Sequence, residues 1–312
     1  MLKRLKNIKK NKNFYPIELK NYVEFFEKNY LDDWIKNDCL CGNSKDIELG
    51  YYDRHMAKFD TVICKNCGLI RAAKYLNDKS LKDFYKNHYR NLVGTRAPKD
   101  NFIHQYKTSV RRGRYKFIEK YVKLENKIVF DIGGSSGGFL KDYIEKNETY
   151  IFDYDIEYLN FAKEMGIKIV EGGLEEALDQ PKKPDLVILS HVIEHWNNFE
   201  KELSKLYDLI NLNTLVFIEV PGIDSLKNGR RHSDILGDIQ IAHKYYFSKE
   251  VLKNILENHG FSVIDSDSQI KIIMKKKKNF KKNLKNNFLN TCFNLILAEI
   301  RMNLSFYKKK FF

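Results

Sequence analysis

Two acids and a cluster of glycines in one short stretch are the residues of this chain best suited to hold a small molecule. Asp131 lies in an apolar run, Ile128 to Ile132. Gly133, Gly134, Gly137 and Gly138 follow, with Ser135 among them, and Asp153 ends a second apolar run, Tyr150 to Phe152. Glycines between a strand and a helix let a ligand approach the backbone, and an acid at the end of the next strand can accept both hydroxyls of a ribose. The chemistry expected is the binding of a nucleoside-like cofactor. A dinucleotide site requires G-x-G-x-x-G, and no register of GGSSGG supplies it. The order is D-x-G-x-S-x-G, from Asp131 through Gly133 and Ser135 to Gly137.

A second set of residues suits a metal. Cys39-Leu40-Cys41-Gly42 and Cys64-Lys65-Asn66-Cys67-Gly68 are separated by twenty-two residues. Paired cysteines followed by glycine read as zinc knuckles, because glycine relieves the turn and backbone amides then point at the thiolates. A closed four-sulfur site, Cys39, Cys41, Cys64 and Cys67, would be structural. A disulfide framework is the alternative, disfavoured in a large chain with five cysteines and no signal peptide, features that point to the cytoplasm. Cys292 stands alone and reads as a small apolar residue.

Histidines form the third set. His191 and His195 lie in LSHVIEHW, directly after the apolar run Pro184 to Ser190, and His243 lies in IAHKYYFS. Imidazole titrates near neutrality and can take the proton of a hydroxyl nucleophile. HVIEH formally matches the inverted zinc-protease pattern H-x-x-E-H. That pattern needs both histidines inside a helix, and His191 follows a strand directly, so the protease reading lacks its context.

The elements that must position these residues alternate. Strands are expected at 128–132, 150–152, 167–170, 184–190 and 214–220, with a closing pair at 261–265 and 269–274. A helical segment is expected after the glycines. A second helix runs from Ile156 and is closed by Gly166, a third is capped by Asn197 with Glu200 at the box position, and a fourth spans Lys249 to His259. Continuous apolar strands between helices argue for a doubly wound, mostly parallel α/β sheet.

On these residues the glycine stretch resembles the first motif of class I S-adenosylmethionine-dependent methyltransferases, D/E-x-G-x-G-x-G, with serine at the middle glycine. The strand order and final hairpin resemble that family's seven-stranded core. LSHVIEHW, FIEVPG and HKYYFSKEVLKNILENHGF are similar to a subgroup that carries an N-terminal zinc-binding region and methylates sugars, either nucleotide-linked or within bacterial surface glycans. The resemblance spans roughly Cys39 to Met274. It implies S-adenosylmethionine and a structural zinc as cofactors. It implies that Asp131, Gly133, Gly134, Ser135, Gly137, Asp153, Leu174 and Ser190 bind the donor. It places His191 near the sulfonium end and His195 and His243 toward the acceptor as bases. There are departures. Asp38 occupies the place of the first knuckle's first cysteine. Gly172-Gly173 replaces an acid beside the adenine, leaving Leu174 and Glu175 to compensate through the backbone. Ala242-His243 replaces the Glu-His pair of carbon methyltransferases, which favours an oxygen or nitrogen acceptor. Tyr85 and Tyr89 fall where the N-terminal module would cover that acceptor.

The organisation read from the sequence is a basic extension at 1–36, a zinc-binding module at 37–100, a methyltransferase domain at 101–275 and a basic amphipathic tail at 276–312. The net charge of +14 belongs to the two ends, since residues 21–270 carry −3. Nucleic acid is disfavoured as a partner, because a clamp would spread its cations over the catalytic face. Arg111, Arg112 and Arg114 form a local cluster able to meet a phosphate or diphosphate. In the tail, Leu289, Phe293, Ile296, Ile300 and Leu304 recur at helical spacing between lysine runs. Polar interruptions exclude a spanning helix. Two readings stay open: an interfacial helix on the anionic inner face of the membrane, or a helix docked on its own domain or a second subunit. The function expected is methyl transfer to a hydroxyl or amine of a small-molecule or glycan acceptor, a sugar precursor. The alternatives are an RNA or protein methyltransferase tethered by its basic ends, marked by salt-dependent RNA binding, and a non-catalytic domain that binds donor without turnover.

Overall fold

The computed structural model describes residues 33–43, 45–55, 57–85 and 96–311, with side chains described as far as residue 305. The chain folds into two compact units, each discontinuous in sequence. One comprises Arg96–Val220 and Ile255–Asn283; the other comprises Met1–Thr95, Pro221–Asn254 and Leu284–Phe312.

The first, the sheet unit, is built on seven strands: β6 (Ile128–Ile132), β7 (Glu148–Asp153), β8 (Lys168–Glu171), β9 (Leu186–Ser190), β10 (Leu215–Glu219), β12 (Phe261–Ser266) and β13 (Lys271–Lys276). Their order is β12-β13-β10-β9-β6-β7-β8. The five strands from β6 to β10 pair in parallel, and β13 joins β10 and β12 antiparallel. The sequence order reverses at β6, which has β7 on one side and β9 on the other. This is the switch point where open α/β sheets bind ligands. Strands β9 and β10 are apolar up to their last residues, Ser190 and Glu219, as expected where both faces of a parallel sheet are covered. The helices of this unit are α2 (Pro98–Arg111), α3 (Arg114–Glu119), α4 (Ile156–Glu164), α5 (Leu174–Leu178) and α6 (Phe199–Leu209). Helix α4 starts where the Asp155 carboxylate accepts the Tyr158 amide and ends before Gly166, at φ 87°.

Two expectations are corrected. The cap of α6 is Asn198, which accepts the Lys201 amide; Asn197 and Glu200 do not form the box. The segment after the glycines is no α-helix but two 3₁₀ turns, Gly138–Leu140 and Ile144–Lys146. Helix α2 lies against this segment so closely that a Cβ on Gly138 would overlap the Phe102 carbonyl.

The second, the cysteine unit, holds β1 (Trp34–Lys36), β2 (Asp46–Tyr52), β3 (Lys58–Cys64), β4 (Ile70–Ala72), β5 (Lys74–Leu76), α1 (Asp78–Asp83) and the two-residue strand β11 (Tyr245–Tyr246). Strands β2, β3, β4 and β11 form an antiparallel sheet. Thus a strand from Pro221–Asn254 completes a sheet begun two hundred residues earlier, with Tyr245 opposite Arg71. Helix α7 (Lys249–Glu257) carries the chain from a segment of this unit to a segment of the other. The tail forms α8 (Phe288–Phe311). Its Leu295 and Ala298 enter the same core as Ile63, Phe59 and Leu226.

Candidate functional site

The glycine turn of the sheet unit owes its shape to missing side chains. Gly133 and Gly137 take φ of 70° and 84°, backbone that favours glycine. A Cβ would meet Val192 at 2.8 Å on Gly133, and Ile167 and Ile151 at 2.5 and 2.8 Å on Gly137. Ser135, at the place of a glycine, also adopts positive φ, 54°. Helix α2 pins the loop in this form. Asn101 Oδ1 accepts the Ser136 hydroxyl at 2.6 Å, Gln105 Oε1 accepts the Gly138 amide at 3.0 Å, and Gln105 Nε2 donates to the Gly134 carbonyl at 3.3 Å. Asn101 and Gln105 carry no motif that marks them.

Both acids stand at this turn. The Asp153 carboxylate accepts the Ser135 amide on one oxygen at 2.9 Å and the Asp155 amide on the other at 3.0 Å. It is thereby oriented by backbone. Asp131 is buried. Its Oδ2 has no hydrogen-bond partner among the described residues and lies beneath Gly134, 2.7 Å from where a Cβ would be. Burial pushes this carboxyl up to about 8, against the opposing charge of Arg114. Leu174 begins α5 and is buried. The Gly173 amide is taken by Glu176 Oε2 at 2.7 Å. Glu175 instead pairs with Lys205 at 2.6 Å. Tyr154, next to Asp153 and beside Gly173, is 74 % exposed. No motif announced it.

At the ends of β9 and β10 lies a charged network. Glu219 is buried and accepts hydrogen bonds from Arg112 at 3.1 Å, from Arg114, and from the Ser190 hydroxyl at 3.2 Å. Burial alone would raise its carboxyl; the neighbouring cationic groups, Arg114 foremost, hold it below the ordinary value. Arg112 also reaches His191 Nε2 at 3.1 Å. A guanidinium only donates, so Nε2 is an acceptor and the ring proton sits on Nδ1, 3.3 Å from Glu194 Oε1. The residue itself has φ 60°, and its amide donates to the Glu219 carbonyl at 2.8 Å. His191 is therefore clamped on both ring nitrogens. His195 ends a 3₁₀ turn, Ile193–His195, so HVIEH has no helix and the protease pattern is excluded by geometry as well. The arginine cluster is also corrected: Arg112 and Arg114 are committed to Glu219, and of the three only Arg111 is left without such a pairing among these contacts.

The sheet unit thus brings together Asp131, Gly133, Gly134, Ser135, Gly137 and Asp153, with Leu174, Ser190, His191 and His195 at neighbouring strand ends. His243 belongs to the cysteine unit. It is buried in a turn with Gln240, whose amide nitrogen lies 2.5 Å from its Nε2, and Tyr246 ties that turn through the carbonyls of Gln240 and His243. Beside it Lys244 is buried, its ammonium over the rings of Tyr75 and Tyr245, and burial pushes it down to about 8. Tyr85 donates to the Ala242 carbonyl at 3.0 Å, as Tyr75 does at 3.1 Å. Tyr89 lies outside the described residues.

Residues 102–266 match the family model described as a methyltransferase domain, more than half of the 312-residue chain. The chain belongs to the methyltransferase domain family. With its seven-stranded switch-point sheet, this methyltransferase is a class I enzyme that transfers methyl from S-adenosylmethionine. It is similar to the magnesium protoporphyrin IX methyltransferase of Synechocystis PCC 6803 with bound SAH, at 14 % identity and TM-score 0.45, over 65 % of this chain and 100 % of that one. It is also similar to an O-methyltransferase family protein of Burkholderia thailandensis, at 10 % identity and TM-score 0.45, over 64 % of each chain. A third similar structure is an O-methyltransferase family 2 protein of Planctomyces limnophilus in complex with apigenin, at 16 % identity and TM-score 0.38, over 49 % and 52 %. No curated protein matches the sequence.

In the cysteine unit the four knuckle thiols converge. Cys39 Sγ lies 3.4 Å from Cys67 and 3.5 Å from Cys41, Cys41 lies 3.5 Å from Cys64, and all four are within 4.8 Å of one another. All are free thiols, and they meet as a quartet rather than as two bonded pairs. Each knuckle is closed by backbone: the Gly42 amide donates to the Cys39 carbonyl at 2.8 Å and the Gly68 amide to the Cys64 carbonyl at 3.0 Å. Asp38 points away, exposed and paired with Lys36 at 2.6 Å. Buried Arg71 holds the first knuckle's approach, with its Nε on the Asn37 carbonyl and a two-pronged pair to Asp46 at 2.9 and 2.8 Å.

Proposed function

We propose that the methyltransferase acts on a hydroxyl or amine of a sugar, in a nucleotide-sugar or bacterial surface-glycan precursor, and that its cysteine quartet holds one structural zinc. The observation that carries this reading is the convergence of Cys39, Cys41, Cys64 and Cys67, the feature the sugar-modifying subgroup shares with this sequence. Their spacing suits zinc: a tetrahedron with bonds of about 2.3 Å has edges of about 3.8 Å. Cys39 completes the set despite the short C-x-C spacing, and Asp38 plays no part.

The sheet unit fits the donor. Asp153 would accept the two ribose hydroxyls with its pre-oriented carboxylate, and Tyr154 offers a flat face for the adenine beside the Leu174 backbone. Gly133, Gly134, Ser135 and Gly137 would present backbone to the amino-acid portion. The unpaired Asp131 Oδ2, a hydrogen-bonding group buried beneath that turn, suits its ammonium directly or through water. When bound, S-adenosylmethionine supplies an electrophilic methyl group on a good leaving group, so the protein's main task is alignment. Ser190 and His191 would line the donor's reacting end. His191, bonded at both ring nitrogens, would shape this wall. His195 and His243 are the candidate bases, able to accept the hydroxyl proton as the acceptor attacks.

The test is transfer from radiolabelled donor into sugar nucleotides or cell-envelope extract, with RNA and bulk protein as parallel acceptors. Label in the sugar fraction is expected. Label confined to RNA or protein would overturn the acceptor class. Turnover in His195→Ala or His243→Ala should fall by roughly 10²–10⁴ with donor affinity unchanged; near wild-type turnover in both would leave alignment alone as the mechanism.

A further inference from the structure

Helix α8 divides its two faces between two different environments. Thr291, Asn294, Leu295 and Ala298 are buried in the cysteine unit. Asn294 donates to Asp224 at 2.6 Å and accepts from Lys227 at 2.9 Å, so the helix is fixed in rotation as well as in place. Its first turn sits on the second knuckle, where a Cβ on Gly68 would lie 2.8 Å from the Asn287 backbone and from Thr291 Oγ1. The opposite face carries Leu289, Phe293, Ile296, Ile300 and Leu304, at 77, 58, 41, 50 and 60 % exposure. These recur at spacings of three and four and form one narrow stripe along the helix. The apolar stripe foreseen from the sequence is thus not the face that docks.

The surroundings of the stripe select its occupant. Lys277, Lys278, Lys281, Lys282 and Lys285 lead into the helix, all exposed, and Lys308, Lys309 and Lys310 follow its apolar part in sequence. From residue 271 to 312 the only acid is Glu299. A second copy pairing stripe to stripe would set lysine against lysine in either orientation, whether antiparallel or parallel. No described helix is long and apolar enough to cross a membrane. An apolar stripe set between cationic ends is complementary to acyl chains beneath anionic headgroups.

We infer that the exposed stripe of α8 is a membrane seat. The docked face holds the helix on the enzyme, Leu289, Phe293, Ile296, Ile300 and Leu304 enter the headgroup–acyl boundary of an anionic bilayer, and the flanking lysines hold its surface charge. The inference stands apart from the acceptor proposed above. It would place the enzyme where lipid-linked or membrane-proximal acceptors are found.

The test uses the full chain and vesicles of phosphatidylcholine alone or with about one third phosphatidylglycerol. Cosedimentation is expected with the anionic vesicles and at least about tenfold less with the neutral ones, weakening as salt rises. Phe293→Ser/Ile300→Ser should lower anionic-vesicle partition by about tenfold or more. Both side chains are exposed, so melting temperature and product binding should not change, and measuring them separates lost docking from lost folding. Lys281→Gln/Lys282→Gln/Lys285→Gln should lower partition several-fold and flatten the salt response. Three results would overturn the inference: no vesicle binding, equal binding by wild type and Phe293→Ser/Ile300→Ser, or a tight dimer in sedimentation that this double variant dissociates.

Discussion

The two units build their candidate sites by opposite means. In the sheet unit the site is a turn of bare backbone. Gly133, Gly134 and Gly137 leave out side chains, backbone amides of Ser135 and Asp155 orient one carboxylate, and the shape exists because a stiff sheet and α2 enforce it. In the cysteine unit the site is a cage. Four side chains from two knuckles converge within 4.8 Å, and the knuckles are held by a core gathered from three separated segments. A turn built from backbone is shaped before any ligand binds. A cage of thiolates is complete only when an ion neutralises them, since four negative charges within 4.8 Å would repel one another. The two sites should therefore respond very differently to loss of a single residue.

The largest contrast is expected at the cage. Cys67→Ser should reduce zinc from about one per chain to a tenth of that or less, because a structural zinc contributes on the order of 10 kcal/mol of apparent binding. Hydrogen exchange should then rise across β2, β3 and β4 while β6 to β10 stay protected. Cys39→Ser should behave like Cys67→Ser, and Asp38→Ala like wild type. Elemental analysis in which Asp38→Ala loses the metal and Cys39→Ser retains it would reverse the assignment. Equal loosening of both units would break the comparison itself.

Next comes the buried acid beneath the glycine turn. The Asp131 carboxyl is raised in the folded protein to about 8 from 3.8. A raised carboxyl favours folding fully below the unfolded value, and that advantage is lost as pH rises through the folded value. Asp131→Asn should therefore match wild type near pH 4 and gain on it up to about pH 8, by about 1.4 kcal/mol per pH unit at most. Thermal melts across that range with a constant difference would show that the acid is not neutral inside the fold.

A smaller effect is expected at Asp153. Losing the pre-oriented carboxylate removes a charge-assisted bond of about 1.5–3 kcal/mol, so Asp153→Ala should weaken S-adenosylmethionine binding about ten- to a hundredfold. Calorimetry showing unchanged affinity would move the ribose elsewhere. Zinc content should be untouched, which sharpens the separation of the two sites.

The smallest change is Ser135→Gly. Serine at φ 54° is strained, and its hydroxyl makes only a 3.5 Å contact with Asn101. Glycine should relieve up to about 1 kcal/mol without altering donor affinity. A destabilised variant would show that the hydroxyl matters to the loop more than the strain does.

Much of the sheet unit was legible because its information is local. Strand ends, glycine turn and ribose acid follow one another within about thirty residues, and apolar runs mark strands buried on both faces. The misreadings there come from packing. The segment after the glycines forms 3₁₀ turns because α2 presses on Gly138, and a helix period cannot report a neighbour. Asn101, Gln105 and Glu219 act through residues far from them in sequence, so nothing beside them in the chain announced them.

By itself the sequence determined the cofactor-type turn, the alternation that builds a parallel sheet, the two cysteine pairs and the apolar stripe of the tail. These are statements about spacing along one chain, and spacing is what covalent order conserves. Only the tertiary structure decided which cysteine completes the quartet, because Cys39 and Asp38 differ by one residue in sequence but point to opposite environments. Only it decided that Pro221–Asn254 joins the unit begun at the N-terminus, through the pairing of Tyr245 with Arg71. It also decided which face of α8 is buried. A period of three to four residues says that a helix has an apolar face, but here the protein buries the face with Asn294, Leu295 and Ala298, because Asp224 and Lys227 wait there to pair with Asn294. Long-range hydrogen bonds and shape choose among faces that periodicity leaves equivalent.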